Sequence, residues 1–264
     1  MKTFSEYTVD STDILVESIG IVDGQLVFDY NKIKADDDEI SSKFGKNTKG
    51  EKFAPYVKTT DTIAKHKVRA VYSVKGINKT KILKTLKSHN AGLSMKNDDY
   101  KQFINRTAMY IDFKFIRKND IQTIIAPSSS SIIITDLLEN LANRNPKLTV
   151  INKAFEKNKP KDVQIDYDHP KINDKSIEYL KLELDKAKKN GFFAMKEIKR
   201  AQMRKFIKNI MKLTPDVSLQ HAIEGKNVVL IDDIISTGTT TTDMIRIIEM
   251  YSPNELTAIT IFKT

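Results

Sequence analysis

Two adjacent carboxylates, Asp232 and Asp233, stand between an apolar run and a small hydroxyl-rich turn. From Val228 to Thr240 the chain reads V-V-L-I-D-D-I-I-S-T-G-T-T. Ser236, Thr237, Gly238, Thr239 and Thr240 offer hydroxyls and successive backbone N–H groups. Such a turn can cradle an anion at a helix N-terminus, aided by the helix dipole. Gly238 permits a backbone geometry that a side chain would forbid. Two bare carboxylates beside a phosphate would repel it, so the pair suits sugar hydroxyls or a bound Mg2+. Together these residues fit a phosphorylated, polyhydroxylated, metal-bound ligand.

The flanking sequence supplies the elements that must hold them. Val228–Ile231 is continuously apolar and rich in β-branched residues, the pattern of a strand covered on both faces. The amphipathic run Asp243–Ile248 predicts a helix after the turn. Strand, loop and helix in that order put the loop at the carboxyl end of a parallel strand, where open α/β sheets bind ligands. A Walker A loop is excluded, because no Gly-Lys-Ser/Thr closes the turn, and a dinucleotide fingerprint is excluded by the single glycine. The plain alternative is a buried strand followed by a threonine-rich helix cap.

A second unit has the same form. Ile121–Ala126 reads as a buried strand, Pro127 and Ser128, Ser129, Ser130 and Ser131 as a loop, and Ile132–Ala142 as a helix. Taken alone it reads equally as an N-capped helix with a serine-rich lead-in. A third strand is predicted over Leu148–Ile151, with Lys153, Lys157, Lys159 and Lys161 just beyond it.

Val228–Thr240 resembles the PRPP (phosphoribosyl pyrophosphate) signature of the type I phosphoribosyltransferases. The resemblance implies that Asp232 and Asp233 meet the ribose 2- and 3-hydroxyls. It implies that Ser236, Thr237, Gly238, Thr239 and Thr240 bind the 5-phosphate. The serine unit corresponds to the family's pyrophosphate loop, so Ser128, Ser129, Ser130 and Ser131 are implied pyrophosphate ligands. It departs from the pattern in lacking a glycine and a following Lys or Arg. Lys153, and then Lys157, match the basic residue that reaches pyrophosphate past the next strand. Type I enzymes also close a mobile hood over the reaction centre. The expected hood is about residues 160–213, where Lys186–Lys212 carries ten basic residues and one acid, Glu197. Apolar residues at helical spacing over Ala194–Lys212 leave a solvated basic helix as the alternative.

At 264 residues the chain can bury a sizeable core, as one large domain or two modest ones. It has no cysteine, hence no disulfide and no thiolate metal site. His66, His89, His169 and His221 are far apart and show no metal-ligand spacing. No apolar run reaches membrane-spanning length and Met1–Glu17 is unlike a signal peptide, so a cytoplasmic protein is expected. The net charge of +10 is compatible with nucleic acid or with a pyrophosphate-bearing small molecule, and an AT-rich genome also yields such lysine-rich chains.

The expected architecture is α/β: a central, mostly parallel sheet flanked by helices, with an N-terminal β-rich extension and a hood. Residues 1–95 form the extension, with a hairpin about Asp23-Gly24, a loop over 34–52, a strand at Val68–Val74 and a short helix at Thr80–Lys87. Residues 96–264 form the phosphoribosyltransferase-like domain, with a helix over Asp98–Thr107, extended chain over Ala108–Phe115 and a last core strand at Leu256–Phe262. The resemblance implies a pentosyltransferase of nucleotide metabolism. It would use PRPP and Mg2+, organised by Asp232 and Asp233 mostly through PRPP and water, to join ribose 5-phosphate to a nitrogenous acceptor and release pyrophosphate. A homodimer is expected. The alternatives are a non-catalytic PRPP- or nucleotide-binding regulator, a transferase directed at nucleic acid, and a ribose-phosphate pyrophosphokinase-like enzyme.

Overall fold

The structure is a computed structural model. It describes residues 18–22, 25–29, 53–54, 61–63, 66–74, 84–85, 94–128, 131–215, 219–235 and 238–263. Strands β1 (Ser18–Val22) and β2 (Gln25–Asp29) pair antiparallel, with Val22 opposite Gln25. These are the strands of the predicted hairpin, while Asp23 and Gly24 themselves lie outside the described residues. Short strands β3 (Phe53–Ala54) and β4 (Asp61–Ile63) flank β5 (His66–Val74), the predicted strand at 68–74 extended by two residues. The predicted loop at 34–52 lies outside the described residues. So does the helix predicted at 80–87, except residues 84–85, which are helical.

Strand β6 (Ser94–Met95) pairs with β2 and runs into helix α1 (Asn97–Ile111), which continues through a π-helical turn, Asp112–Ile116. Extended chain was expected over Ala108–Phe115, and the structure corrects this to helix. Ile111, Phe113 and Phe115 mimic strand alternation, yet burial follows the helical set Phe103, Ile104, Thr107, Ala108 and Ile111. The turn is fastened by Asp112, fully buried, which accepts from Arg117 Nε at 3.1 Å and Asn145 Nδ2 at 3.0 Å.

The remaining elements mix strands and helices. They are β7 (Thr123–Ile125), α2 (Ile132–Arg144), β8 (Thr149–Ile151), β9 (Phe155–Lys157), β10 (Gln164–Ile165), α3 (Asp174–Asn190), β11 (Ile207–Lys208), β12 (Met211–Leu213), α4 (Gln220–Ile223), β13 (Asn227–Ile235), α5 (Thr239–Glu249) and β14 (Glu255–Lys263). Strands β8, β7, β13, β14 and β5 form a five-strand parallel sheet in that order. Antiparallel β3 and β4 edge it.

Residues alternate between the sheet's two faces, as a doubly covered strand requires. Val229 and Ile231 of β13 join a core with Phe103 of α1 and Leu137, Leu138 and Leu141 of α2. Val228 and Leu230 join a second core with Leu180 and Leu184 of α3 and Met244, Ile245 and Ile248 of α5. The chain leaves β7 for β8 on one side, while β13 lies on the other. The carboxyl ends of β7 and β13 are therefore the topological switch point, where such sheets open a ligand crevice.

Helix α1 runs parallel to α2: Tyr100 donates to Asp136 Oδ2 at 2.6 Å, and further along Arg144 donates to Asn105 Oδ1 at 2.5 Å. The start of α1, and with it the β1–β2–β6 sheet, thus lies toward the carboxyl ends of the parallel strands. Strand β3 pairs with Ser73 and Val74, at the same end of β5.

Candidate active site

One rung of the sheet sets the geometry. Ile125 of β7 pairs with Leu230 of β13 on one side and with Ile151 of β8 on the other. Two residues beyond that rung lie Pro127, Asp232 and Lys153 respectively. The three predicted groups, serine loop, acidic pair and lysine turn, therefore start from one level at the carboxyl edge.

Asp232 and Asp233 are 8 % and 7 % exposed, inside the end of β13. The Asp233 N–H donates to Asp232 Oδ1 at 2.8 Å, which fixes one carboxylate against the backbone of the next residue. Burying two charges is costly unless they are paired with donors.

Ser236 and Thr237 fall outside the described residues. Gly238 caps α5 with φ 76° and ψ −1°, the left-handed geometry its residue type allows. Its carbonyl accepts from Thr242 N–H at 2.8 Å and Thr242 Oγ at 2.9 Å, closing the first helical turn. Thr239, buried, and Thr240, half-buried, open the helix, one turn earlier than the apolar periodicity indicates. The first N–H groups of a helix lack intrahelical partners and point outward. The N-terminus of α5 therefore opens at the carboxyl end of β13, where the sequence reading expects an anion.

In the serine loop Ser129 and Ser130 lie outside the described residues. Ser128 is exposed, and its N–H donates to the Phe155 carbonyl at 2.7 Å. Ser131 is the buried N-cap residue of α2, yet its side chain makes no capping bond. Lys153 sits between β8 and β9 with φ 58°, its N–H bonded to Asn152 Oδ1 at 2.8 Å. Next to it the Ala154 N–H donates to the Ala126 carbonyl at 2.9 Å, so the lysine turn is stitched to the serine loop. Lys157 is exposed at the far end of β9, two residues past the last of these bonds.

The basic segment differs from a regular helix. After α3 ends at Gly191, it forms two 3-10 turns, Met195–Glu197 and Ala201–Phe206, then β11 and β12. Strand β11 pairs with β10, and β12 with β9. The apolar residues Ile198, Phe206, Ile207 and Ile210 are buried in the second core instead of forming one helical stripe. Its charge is also less exposed than ten bases against one acid imply. Lys186, Lys188, Lys208 and Lys212 pair with Glu183, Asp185, Asp166 and Glu156, acids that lie before Lys186 in sequence.

Asp243 was read from sequence only as part of the helix. It is buried, and it accepts from the Ile210 N–H, at the turn between β11 and β12. Burial raises its carboxyl above the ordinary 3.8, and the neighbouring backbone N–H groups, Ile210 first, with Arg246, work against the rise. The available signal was its position four residues after Thr239, on a face otherwise turned to the core. A carboxylate there needs donors from another element.

The family model described as phosphoribosyl transferase domain matches residues 104–264, more than half of the chain. The chain belongs to that family. It is therefore a pentosyltransferase of the phosphoribosyltransferase class. Among solved structures it is similar to a hypoxanthine-guanine phosphoribosyltransferase from Bacillus anthracis, at 15% identity over 62% of this chain and 68% of that one, with a TM-score of 0.33. A Trypanosoma cruzi hypoxanthine phosphoribosyl transferase matches at 14% identity over 62% and 64%, with a TM-score of 0.34. An adenine phosphoribosyltransferase matches at 12% identity over 64% and 72%, with a TM-score of 0.33. No curated protein matches the chain. The phosphoribosyltransferase domain begins within α1 and runs through β14, so it contains all five of the parallel strands except β5. Among the described residues no helix is long and apolar enough to cross a membrane.

Proposed function

We propose that the chain transfers ribose 5-phosphate from PRPP to a nitrogen nucleophile and releases pyrophosphate. The observation that carries this is the buried Asp232–Asp233 pair leading into the left-handed Gly238 cap of α5, at the switch point of the sheet. In this reading Asp232 and Asp233 accept hydrogen bonds from the ribose hydroxyls. Residues 236–240 hold the 5-phosphate through backbone N–H groups and hydroxyls. Ser128–Ser131 and Lys153, with Lys157 further out, hold the pyrophosphate. A bond forms from the acceptor nitrogen to ribose C1 while the bond from C1 to pyrophosphate oxygen breaks, and the acceptor's proton leaves to a base we do not assign. Catalysis is chiefly positioning and electrostatic stabilisation.

Among the described residues no three His, Asp or Glu side chains converge on a metal site. Mg2+ fits as an ion held by the ligand's phosphates and by Asp232 and Asp233, directly or through water. When bound, it neutralises charge on the departing pyrophosphate. Exclusion of water from C1 falls to the basic segment within 160–213 and to the extension of residues 1–95, whose β1–β2–β6 sheet joins the start of α1. The extension is then part of the acceptor pocket, and the domain proper is 96–264.

The test is pyrophosphate release from PRPP and Mg2+ against a panel of bases, nucleosides and oligonucleotides. Release with a small nitrogenous base supports the proposal. Release with oligonucleotides alone, together with salt-dependent retention on them, would move the reading to a nucleic-acid-directed transferase. PRPP binding without release on any acceptor would favour a regulator, and dependence on ATP a pyrophosphokinase-like enzyme. Absence of PRPP binding would overturn the ligand assignment. The ion pairing of Lys186, Lys188, Lys208 and Lys212 favours the small-molecule outcome, because it offsets part of the charge a polyanion would need.

A further inference from the structure

Asp243 and Thr214 lie at opposite ends of a short bracket that joins the two anion-holding turns of the site. At one end the Asp243 carboxylate, on the phosphate-loop helix α5, holds the N–H group of Ile210. One turn earlier on α5, Thr239 Oγ donates to the Arg204 carbonyl at 3.2 Å, a second tie to the same segment. Strand β12 leaves the clamped turn and pairs with β9, Met211 against Lys157 and Leu213 against Phe155. Beyond it Thr214 closes the circuit. Its N–H donates to the Ala154 carbonyl at 3.0 Å and its Oγ to the Lys153 carbonyl at 2.7 Å. Lys153 is held there in left-handed backbone, φ 58°.

We propose that Asp243 is a positioning residue that sets the distance between the 5-phosphate cradle at Gly238–Thr240 and the lysine turn at Lys153. The inference rests on the PRPP reading above and adds the means by which the two halves of that ligand are registered to each other. A carboxylate suits the task, because it alone among side chains offers several strong acceptor positions and no donor. It accepts the Ile210 N–H within the turn between β11 and β12, which seats that turn on α5. Asn209 occupies that turn with φ 62°, a conformation that aims successive N–H groups to one side. The path touches neither ribose nor the acceptor. Its effect must therefore appear only for ligands that span both turns.

This gives a test that a general loss of stability would not reproduce. Titration calorimetry on the full chain with Mg2+ would compare PRPP, ribose 5-phosphate and inorganic pyrophosphate. Asp243→Ala should weaken PRPP about tenfold or more, since misplacement by about an ångström is costly for a two-point ligand. Ribose 5-phosphate and pyrophosphate, each using one turn, should change by less than about twofold on the same argument. Thr214→Val cuts the far end of the bracket at a half-buried position. It should repeat the pattern to a smaller degree, even if Asp243→Ala folds poorly. Equal losses for all three ligands, or no loss for PRPP in either variant, would overturn the bracket while leaving the PRPP reading intact. Failure of the unaltered chain to bind PRPP would overturn both.

Discussion

Gly238→Ala separates what the left-handed cap does for the fold from what it does for the ligand. Gly238 has φ 76° and ψ −1°. Gly191, which ends α3, has φ 67° and ψ 8°, and a Cβ built there meets nothing within 4 Å. The two backbones are nearly the same, so left-handed geometry by itself should penalise alanine by a similar amount at each. Left-handed backbone penalises a Cβ by ~1–2 kcal/mol. The stiffer unfolded chain returns ~0.4–1 kcal/mol. The net is about 1 kcal/mol, or ~2–4 °C in melting temperature for a chain of this size. Ligand affinity should diverge. Relaxation away from φ 76° turns the N–H groups of Thr239 and Thr240 off the phosphate, and a hydrogen bond to a charged group is worth ~1.5–3 kcal/mol. Gly238→Ala should therefore raise the Kd for ribose 5-phosphate roughly 10- to 100-fold. Gly191→Ala should leave it unchanged. Thermal melts and calorimetry on both variants decide the matter. Equal affinity in the two variants, with equal melting shifts, would place the phosphate elsewhere.

Asp232→Asn combined with Asp233→Asn should lower PRPP-dependent turnover at least about 100-fold, since both the ribose contacts and the charge near Mg2+ are lost; undiminished turnover in a folded double variant would sink the assignment. The phenol of Tyr100 is held above its ordinary 10.0, first by burial and then by its bond to Asp136 and that group's charge. A raised pKa in the folded state means stability present below pH 10 and lost as pH rises beyond it. The melting-temperature advantage of the unaltered chain over Tyr100→Phe should accordingly shrink above pH 10, and a constant difference from pH 8 to 11 would contradict the linkage. Hydrogen exchange over Lys186–Lys212 should show Ile198, Phe206, Ile207 and Ile210 protected without ligand, being buried. Added protection with Mg2+–PRPP should fall on the exposed stretch around Lys199 and Arg200; its absence there would argue against closure of this segment over the ligand.

The parallel strands and the turn that opens α5 were legible because both carry short-range patterns. Val228–Ile231 could only be a doubly buried strand, and Gly238 between threonines could only be a turn opening a helix. What escaped was set by contacts far apart in sequence. The stretch over 108–115 alternates like a strand, yet Asp112 makes sense only once Arg117 and Asn145 are folded onto it. The segment over 194–212 has helix-like spacing, but its apolar residues are recruited by β9, β10 and α5 into short strands and 3-10 turns. The role of Asp243 depends on the Ile210 N–H, supplied by a turn 33 residues earlier. No local pattern records such a partner.

The position of β14 has a consequence for how the chain is made. This strand, the last in the described chain, lies between β5 and β13, and its Phe262 ring stacks with Phe103 at 6.2 Å. The sheet is thus completed from its middle, by residues that are synthesised after every strand they join. Until they arrive, β5 has no parallel partner, and β13 has a bare apolar edge. Open edges of that kind invite pairing with other chains, and non-local parallel pairing is slow to form. A nascent chain stalled before residue 255 would hold both edges exposed. Exposure of those two edges therefore lasts until β14 is free to insert between β5 and β13.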